Sequence, residues 1–134
     1  MREDGRIARL LRDKDHVEYR HLRFRRGGAV TVAFRKAQPP ADEGVLQMAF
    51  SFCNPKDQFS RADGRARSLI RLLRRGGIRM GHERFRVAVK VRISLEDTLF
   101  AGLSALRKRK RLPTWLVRQF EKEIGGEGLA AQAQ

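Results

Sequence analysis

The sequence predicts an α+β fold: an antiparallel sheet of about four strands, in the order β-β-β-α-β-α-α, with helices packed on one face. Three observations predict it. Residues 17–25, 29–35, 45–53 and 84–93 alternate apolar and polar side chains with a period of two. Other stretches repeat apolar residues at helical spacing. A glycine hairpin signal joins the first two strands, and most of the helical stretches come late in the chain.

Ile7, Leu10 and Leu11 predict a short N-terminal helical turn. The first strand has a parity conflict. Val17 and Tyr19 point one way, Leu22 and Phe24 the other, and a bulge near His21 is the expected resolution. Gly27-Gly28 turns the chain into a return strand with Val30, Val32 and Phe34 on one face. Pro39-Pro40, Asp42 and Gly44 make a loop before the third strand, where Leu46, Met48, Phe50 and Phe52 alternate. Ser60 and Asp63 have capping-box spacing, with Asp57 as the alternative cap. The helix they open is expected to bury Ala62, Ala66, Leu69, Ile70 and Leu73 and to stop at Gly76-Gly77. Phe85, Val87, Val89, Val91 and Ile93 form the fourth strand's apolar face. Ser94 and Asp97 cap a helix carrying Leu95, Leu99, Leu103 and Leu106, and Leu112-Pro113 interrupts it. A last helix from about Thr114 carries Leu116, Val117, Phe120 and Ile124 up to Gly125-Gly126.

A chain of 134 residues with 41% hydrophobic residues fits one domain, expected over residues 1–124. Residues 125–134 are expected to form a flexible tail, for want of apolar surface. Charge is the strongest functional signal. Thirty basic residues, 23 of them Arg, face fifteen acidic ones, for a net +15. Such a field attracts polyanions, and the Arg fork suits phosphate. Arg-rich composition also follows from GC-rich coding, without selection for binding. The charge is segregated: residues 61–92 carry +9, from eleven basic and two acidic side chains.

Strand parity puts Arg23, Arg25, Arg35, Arg86, Lys90 and Arg92 on the face opposite the helical layer. Like charges side by side on a sheet repel, and a polyanion relieves that repulsion. Arg65 and Arg71 extend the basic surface along the first long helix. The run Arg107-Lys108-Arg109-Lys110-Arg111 either complements a helix dipole or contacts phosphates. Lys56 and Arg61 flank a helix start, where free amides and the dipole also favour an anion. No aromatic pair with stacking-platform spacing accompanies these residues, so backbone contact is better supported than base reading.

The most distinctive stretch is Phe50-Ser51-Phe52-Cys53-Asn54-Pro55-Lys56-Asp57-Gln58-Phe59-Ser60-Arg61, followed by Gly64-Arg65. It resembles a block in small uncharacterised proteins of tailed phages and mobile elements, with the pattern Phe-x-Phe-Cys-x-Pro-Lys-Asp-x-Phe-Ser-Arg and then Gly-Arg. The resemblance spans residues 50–75 and implies a protein acting on DNA, on RNA polymerase or on a host defence. It implies no catalytic residue. Read as residues, the same block is ordinary loop chemistry: an Asn-Pro turn, a cap, and Phe59 as a core plug.

Metal and cofactor sites are not expected. Cys53, His16, His21 and His82 lack paired ligand spacing, and there is no P-loop or dinucleotide fingerprint. An enzyme would need metal-dependent chemistry at Asp57 or Glu83. One cysteine, and no apolar run of membrane-spanning length, point to a cytoplasmic protein. The expected partner is DNA or RNA. The alternative is a protein with an acidic surface, such as host RNA polymerase, held through Trp115, Leu116 and Phe120.

Overall fold

The computed structural model describes residues 5–41, 43–73 and 82–119. Helix α1 (Gly5–Arg12) buries Ile7 and Leu10. Strands β1 (Glu18–Arg23) and β2 (Ala29–Lys36) form the predicted hairpin. Its turn needs glycine: Gly27 and Gly28 have φ of +93° and +89°, where a Cβ would clash with the backbone. Strand β3 (Val45–Cys53), helix α2 (Arg61–Leu73), a 3-10 turn (His82–Phe85) and strand β4 (Arg86–Lys90) follow. Helices α3 (Leu95–Lys108) and α4 (Thr114–Gln119) complete the described fold. The sheet has the order β1-β2-β3-β4 and is antiparallel throughout.

Both predicted capping boxes form at their N-caps. Ser60 Oγ accepts from the Asp63 amide at 3.2 Å, so Ser60 rather than Asp57 starts α2. Ser94 Oγ accepts from the Asp97 amide at 3.1 Å. The main core lies where parity put it. Val30, Val32, Phe34, Leu46, Met48 and Phe50 meet Ile7 and Leu10 of α1, Leu99, Leu103 and Leu106 of α3, and Leu116 of α4.

The expectation of helices on one face alone is corrected. Helices α1, α3 and α4 cover the main core, but α2 lies across the opposite face of β2 and β3. Six consecutive residues of β2, Ala29–Phe34, are buried, as a strand covered on both sides requires. The helix face that packs is also not the predicted apolar stripe. Alpha-2 buries Gly64, Ser68 and Leu72, while Ile70 and Leu73 are 43% and 46% exposed. The reason is distance. Thr31, Ala33, Ala49 and Ser51 are small, so the helix settles close to the sheet where Gly64 and Ser68 face it, and Leu72 completes the seam. A Cβ on Gly64 would sit 2.2 Å from Thr31 Oγ1.

The same second layer removes the need for a bulge. Strands β1 and β2 pair in unbroken register from Glu18↔Phe34 to Arg23↔Ala29. Val17 and Tyr19 pack beside Leu72, Ala33 and Ala49, while Leu22 and Phe24 belong to the main core. The opposite parities were two apolar faces, not one face with a slip.

The fourth strand is shorter than its alternating pattern. Its ladder ends at Lys90, opposite Val45, where β3 begins. Beyond that point the Val91 amide reaches Gly44 O and the Arg92 amide reaches Thr98 Oγ1 of α3. Residues 84 and 85 belong to the 3-10 turn, and Ile93 is 60% exposed. The Gly76-Gly77 stop, Phe120, Ile124 and the tail from Gly125 lie outside the described residues. No helix among the described residues is long and apolar enough to cross a membrane.

The seam between α2 and the sheet yields a test. Alanine normally stabilises a helix interior relative to glycine by about 1 kcal/mol. In Gly64→Ala the added methyl meets the Thr31 side chain, an overpacking penalty of about 1–3 kcal/mol. A net loss of up to about 2 kcal/mol is expected in urea denaturation. A variant more stable than the parent would show that the helix has room to lift.

Candidate nucleic-acid interface

The strand arginines face away from the main core, as parity predicts, but α2 divides them. Arg71 is half-buried. Its guanidinium donates to Phe50 O and lies 4.7 Å from the Phe85 ring centroid. Burial and the neighbouring Arg67 push its pKa down from the ordinary value. Arg86 directs NH1 at the carbonyls of Arg71 and Leu72, 3.4 and 3.5 Å away, at the last described turn of α2. Arg35 donates Nε to Gln47 Oε1 at 3.0 Å. These three side chains serve the fold, so the predicted continuous basic sheet face is corrected. Lys90 and Arg92 are exposed but stand at the end of the β4 edge strand. There the chain leaves the sheet for α3.

A different surface gathers at the hairpin end. The β1–β2 turn exposes Arg25, and Arg26 beside it. This turn is an anchor point for two other segments. A Cβ on Gly27 would lie 3.1 Å from Pro55 Cβ, which puts the loop carrying Lys56 against it. That loop is an Asx turn, with the Lys56 amide on Asn54 Oδ1 at 3.0 Å and the Asp57 amide on Asn54 O at 2.9 Å. Lys56 is left exposed. Trp115 of α4 presses on Gly28, where a Cβ would come within 2.4 Å of its ring. Gln119 Nε2 donates to Gly27 O at 2.9 Å.

The basic run immediately precedes α4 in the chain. Helix α3 ends in a Schellman motif: the Arg111 amide bonds Leu106 O and the Lys110 amide bonds Arg107 O, both at 2.9 Å. Lys110 takes the left-handed position, φ +56°, which glycine usually fills. Arg107, Lys108, Arg109 and Lys110 are exposed and Arg111 is half-buried. Leu112 is buried just beyond, and Pro113 O accepts the first amides of α4.

The start of α2 supplies the fourth group. Arg61 and Arg65 are exposed on successive turns. Arg23 lies 5.4 Å over the Phe59 ring, and His21 meets that ring edge-on at 5.6 Å. His21 reports the local field. Burial, then Arg61, Arg65 and Arg20, push its pKa below the ordinary value, and its Nδ1 bonds Thr31 Oγ1 at 2.8 Å. Among the described residues, ion pairs join Arg6 and Arg20 to Glu96, and His16 to Glu18. None involves Arg23, Arg25, Lys56, Arg61, Arg65, Lys108, Arg109, Lys110 or Arg111.

Sequence reasoning missed Arg26, and it treated Phe59 only as a core plug. Phe59 is half-buried and lines a cleft of 160 Å³ with Phe52, Ser51, Asp57, Asp63 and Arg67. The distinctive block around Phe59 was the available signal, but nothing in it said that the ring borders open space. The protein-anchor alternative is corrected in part. Leu116 is fully buried and Trp115 is half-buried against the hairpin turn, while Phe120 lies outside the described residues. No group of three or more metal-binding side chains occurs among the described residues. The chain matches no known protein-family model, no curated protein and no solved structure.

Two tests follow from this geometry. Because the folded His21 has a depressed pKa, the unfolded chain takes up the proton first as pH falls. The stability it contributes is complete above about pH 6.5 and is lost as pH falls through the folded value. Urea midpoints should therefore drop more steeply below that pH for the parent than for His21→Gln. Lys110→Gly should stabilise the fold by about 1 kcal/mol, because glycine carries no Cβ penalty at positive φ. A neutral or negative thermal shift would contradict the strain at that position.

Proposed function

We propose that this chain binds nucleic acid, chiefly through the phosphate backbone, at the hairpin end of its sheet. One observation carries the reading. Exposed Arg25 lies on a turn that packs against the loop before Lys56 and against α4, which follows the run Lys108–Arg111, Arg61 starts the helix after that loop, and none of these cations has a carboxylate paired to it among the described residues. Assembling like charges this way costs electrostatic energy, which a polyanion offsets while releasing its counterions. Exposed arginine and lysine on loops and helix ends contact phosphate oxygens without reading sequence. The rival reading, docking on an acidic protein such as a host RNA polymerase, has less support. Of its three proposed anchors, Leu116 is buried and Trp115 is committed to the hairpin.

Salt and position test the proposal together. Affinity for a duplex or single-stranded oligonucleotide should fall steeply between about 50 and about 200 mM salt, with a log–log slope of about −0.7 to −0.9 per neutralised phosphate. Arg25→Glu combined with Lys110→Glu should weaken binding about tenfold or more and flatten the slope by about two phosphates' worth. The same reversals at Lys90 and Arg92, on the β4 edge, should cost much less. Equal losses at both places, or no binding at low salt, would overturn the assignment.

A further inference from the structure

The cleft beside the basic end is built unlike a phosphate site. Phe59 is part of its wall, while the Phe52 ring packs on the other face of the sheet against Phe50 and Phe85. Asp57 and Asp63 line it, and neither carboxylate has an ion pair or hydrogen-bond partner among the described residues. Two carboxylates repel an anion and call for N–H donors. Ser51 is a second, independent sign of a missing ligand. It is 5% exposed and lines the cleft, yet its hydroxyl meets no hydrogen-bond partner among the described residues. That hydroxyl opens on the cleft, where a polar ligand would bond it. Arg67 lines the same cleft and offers a donor fork. At 160 Å³ the space suits one flat ring system rather than a larger organic ligand.

We propose that this cleft takes the guanine base of a nucleotide. An aromatic ring such as Phe59 stacks on a splayed-out base, and carboxylates accept from its Watson–Crick edge. Guanine matches the lining on both edges. Its N1–H and N2–H groups are adjacent donors for Asp57 or Asp63, and O6 with N7 forms the acceptor pair that an Arg fork prefers. Adenine and cytosine each bring only one amino group. The cations nearest the cleft complete the match. Arg23 over Phe59, with Lys56 and Arg61 in the flanking loop and helix start, supplies charge for the attached phosphate. This inference rests on the nucleic-acid reading and refines it: the protein would hold an unpaired guanine while its basic end holds the backbone.

The same ligand chemistry is present in a free guanine nucleotide and in a guanine within a strand, and the test separates them. Single-stranded thymidine oligonucleotides with one central guanine, inosine, adenine or abasic position are titrated against the full chain by fluorescence anisotropy, with free guanosine monophosphate as competitor. The guanine strand should bind about tenfold more tightly than the abasic and the inosine strands, inosine lacking only the 2-amino donor. Asp57→Asn with Asp63→Asn should collapse that ratio. If guanosine monophosphate competes as well as the guanine strand, the cleft is a free-nucleotide site and the strand-borne version is overturned. Equal affinity for all four strands would sink the cleft proposal while leaving phosphate binding intact. No binding of any strand would instead remove the nucleic-acid reading itself. The base series uses the unaltered protein, so it decides the question even if the double variant does not fold.

Discussion

The close seat of α2 on the sheet is the constraint on which the rest of this structure depends. Gly64 rests on Thr31, and Ser68 and Leu72 continue the seam over a floor that includes Ala33 and Ala49. A helix this near a strand face excludes water from it. The face can then carry small and polar residues, provided their hydrogen bonds are met, as Thr31 is by His21. The seam also gives Val17 and Tyr19 somewhere to pack, so β1 keeps an unbroken register. With α2 covering that face, its arginines no longer form one open surface.

Arginine has two distinct uses here. Arg71 and Arg86 direct their guanidinium groups at backbone carbonyls. Arg20, with Arg6, meets Glu96 in the first turn of α3. These groups hold elements together, and their charge is not offered to a partner. The exposed cations of the hairpin end have no such employment among the described residues. Lys110 adds to this contrast: a long cation stands at a left-handed position where glycine would cost less. Stability and net charge pull in different directions at that residue.

Much of the fold was legible from alternation and capping. Period-two patterns located all four strands, Ser94 marked one helix start, and Ser60 was one of two caps offered for another. What misled was hydrophobicity taken as a proxy for burial. On α2, Ile70 and Leu73 are more apolar than Gly64 and Ser68, yet they are the exposed ones. Packing distance chose the small residues, and no one-dimensional pattern records that distance. The candidate site was legible only as a set of residue types. Arg25, Lys56, Arg61 and the 107–111 run were all suspected, but so were Arg35, Arg71 and Arg86, which have structural partners.

By itself the sequence determined the element order, the faces of the second and third strands, the start of α3 and the excess of positive charge. These depend on local dihedral preference, side-chain period and composition, all of which are properties of neighbours along the chain. Only the tertiary structure decided that both sheet faces are covered, which arginines are tied to carbonyls, and that the hairpin turn draws Pro55 and Trp115 together. The physical reason is that those outcomes depend on contacts between residues tens of positions apart. Their fit is set by volume and distance in space, which residue type alone does not encode.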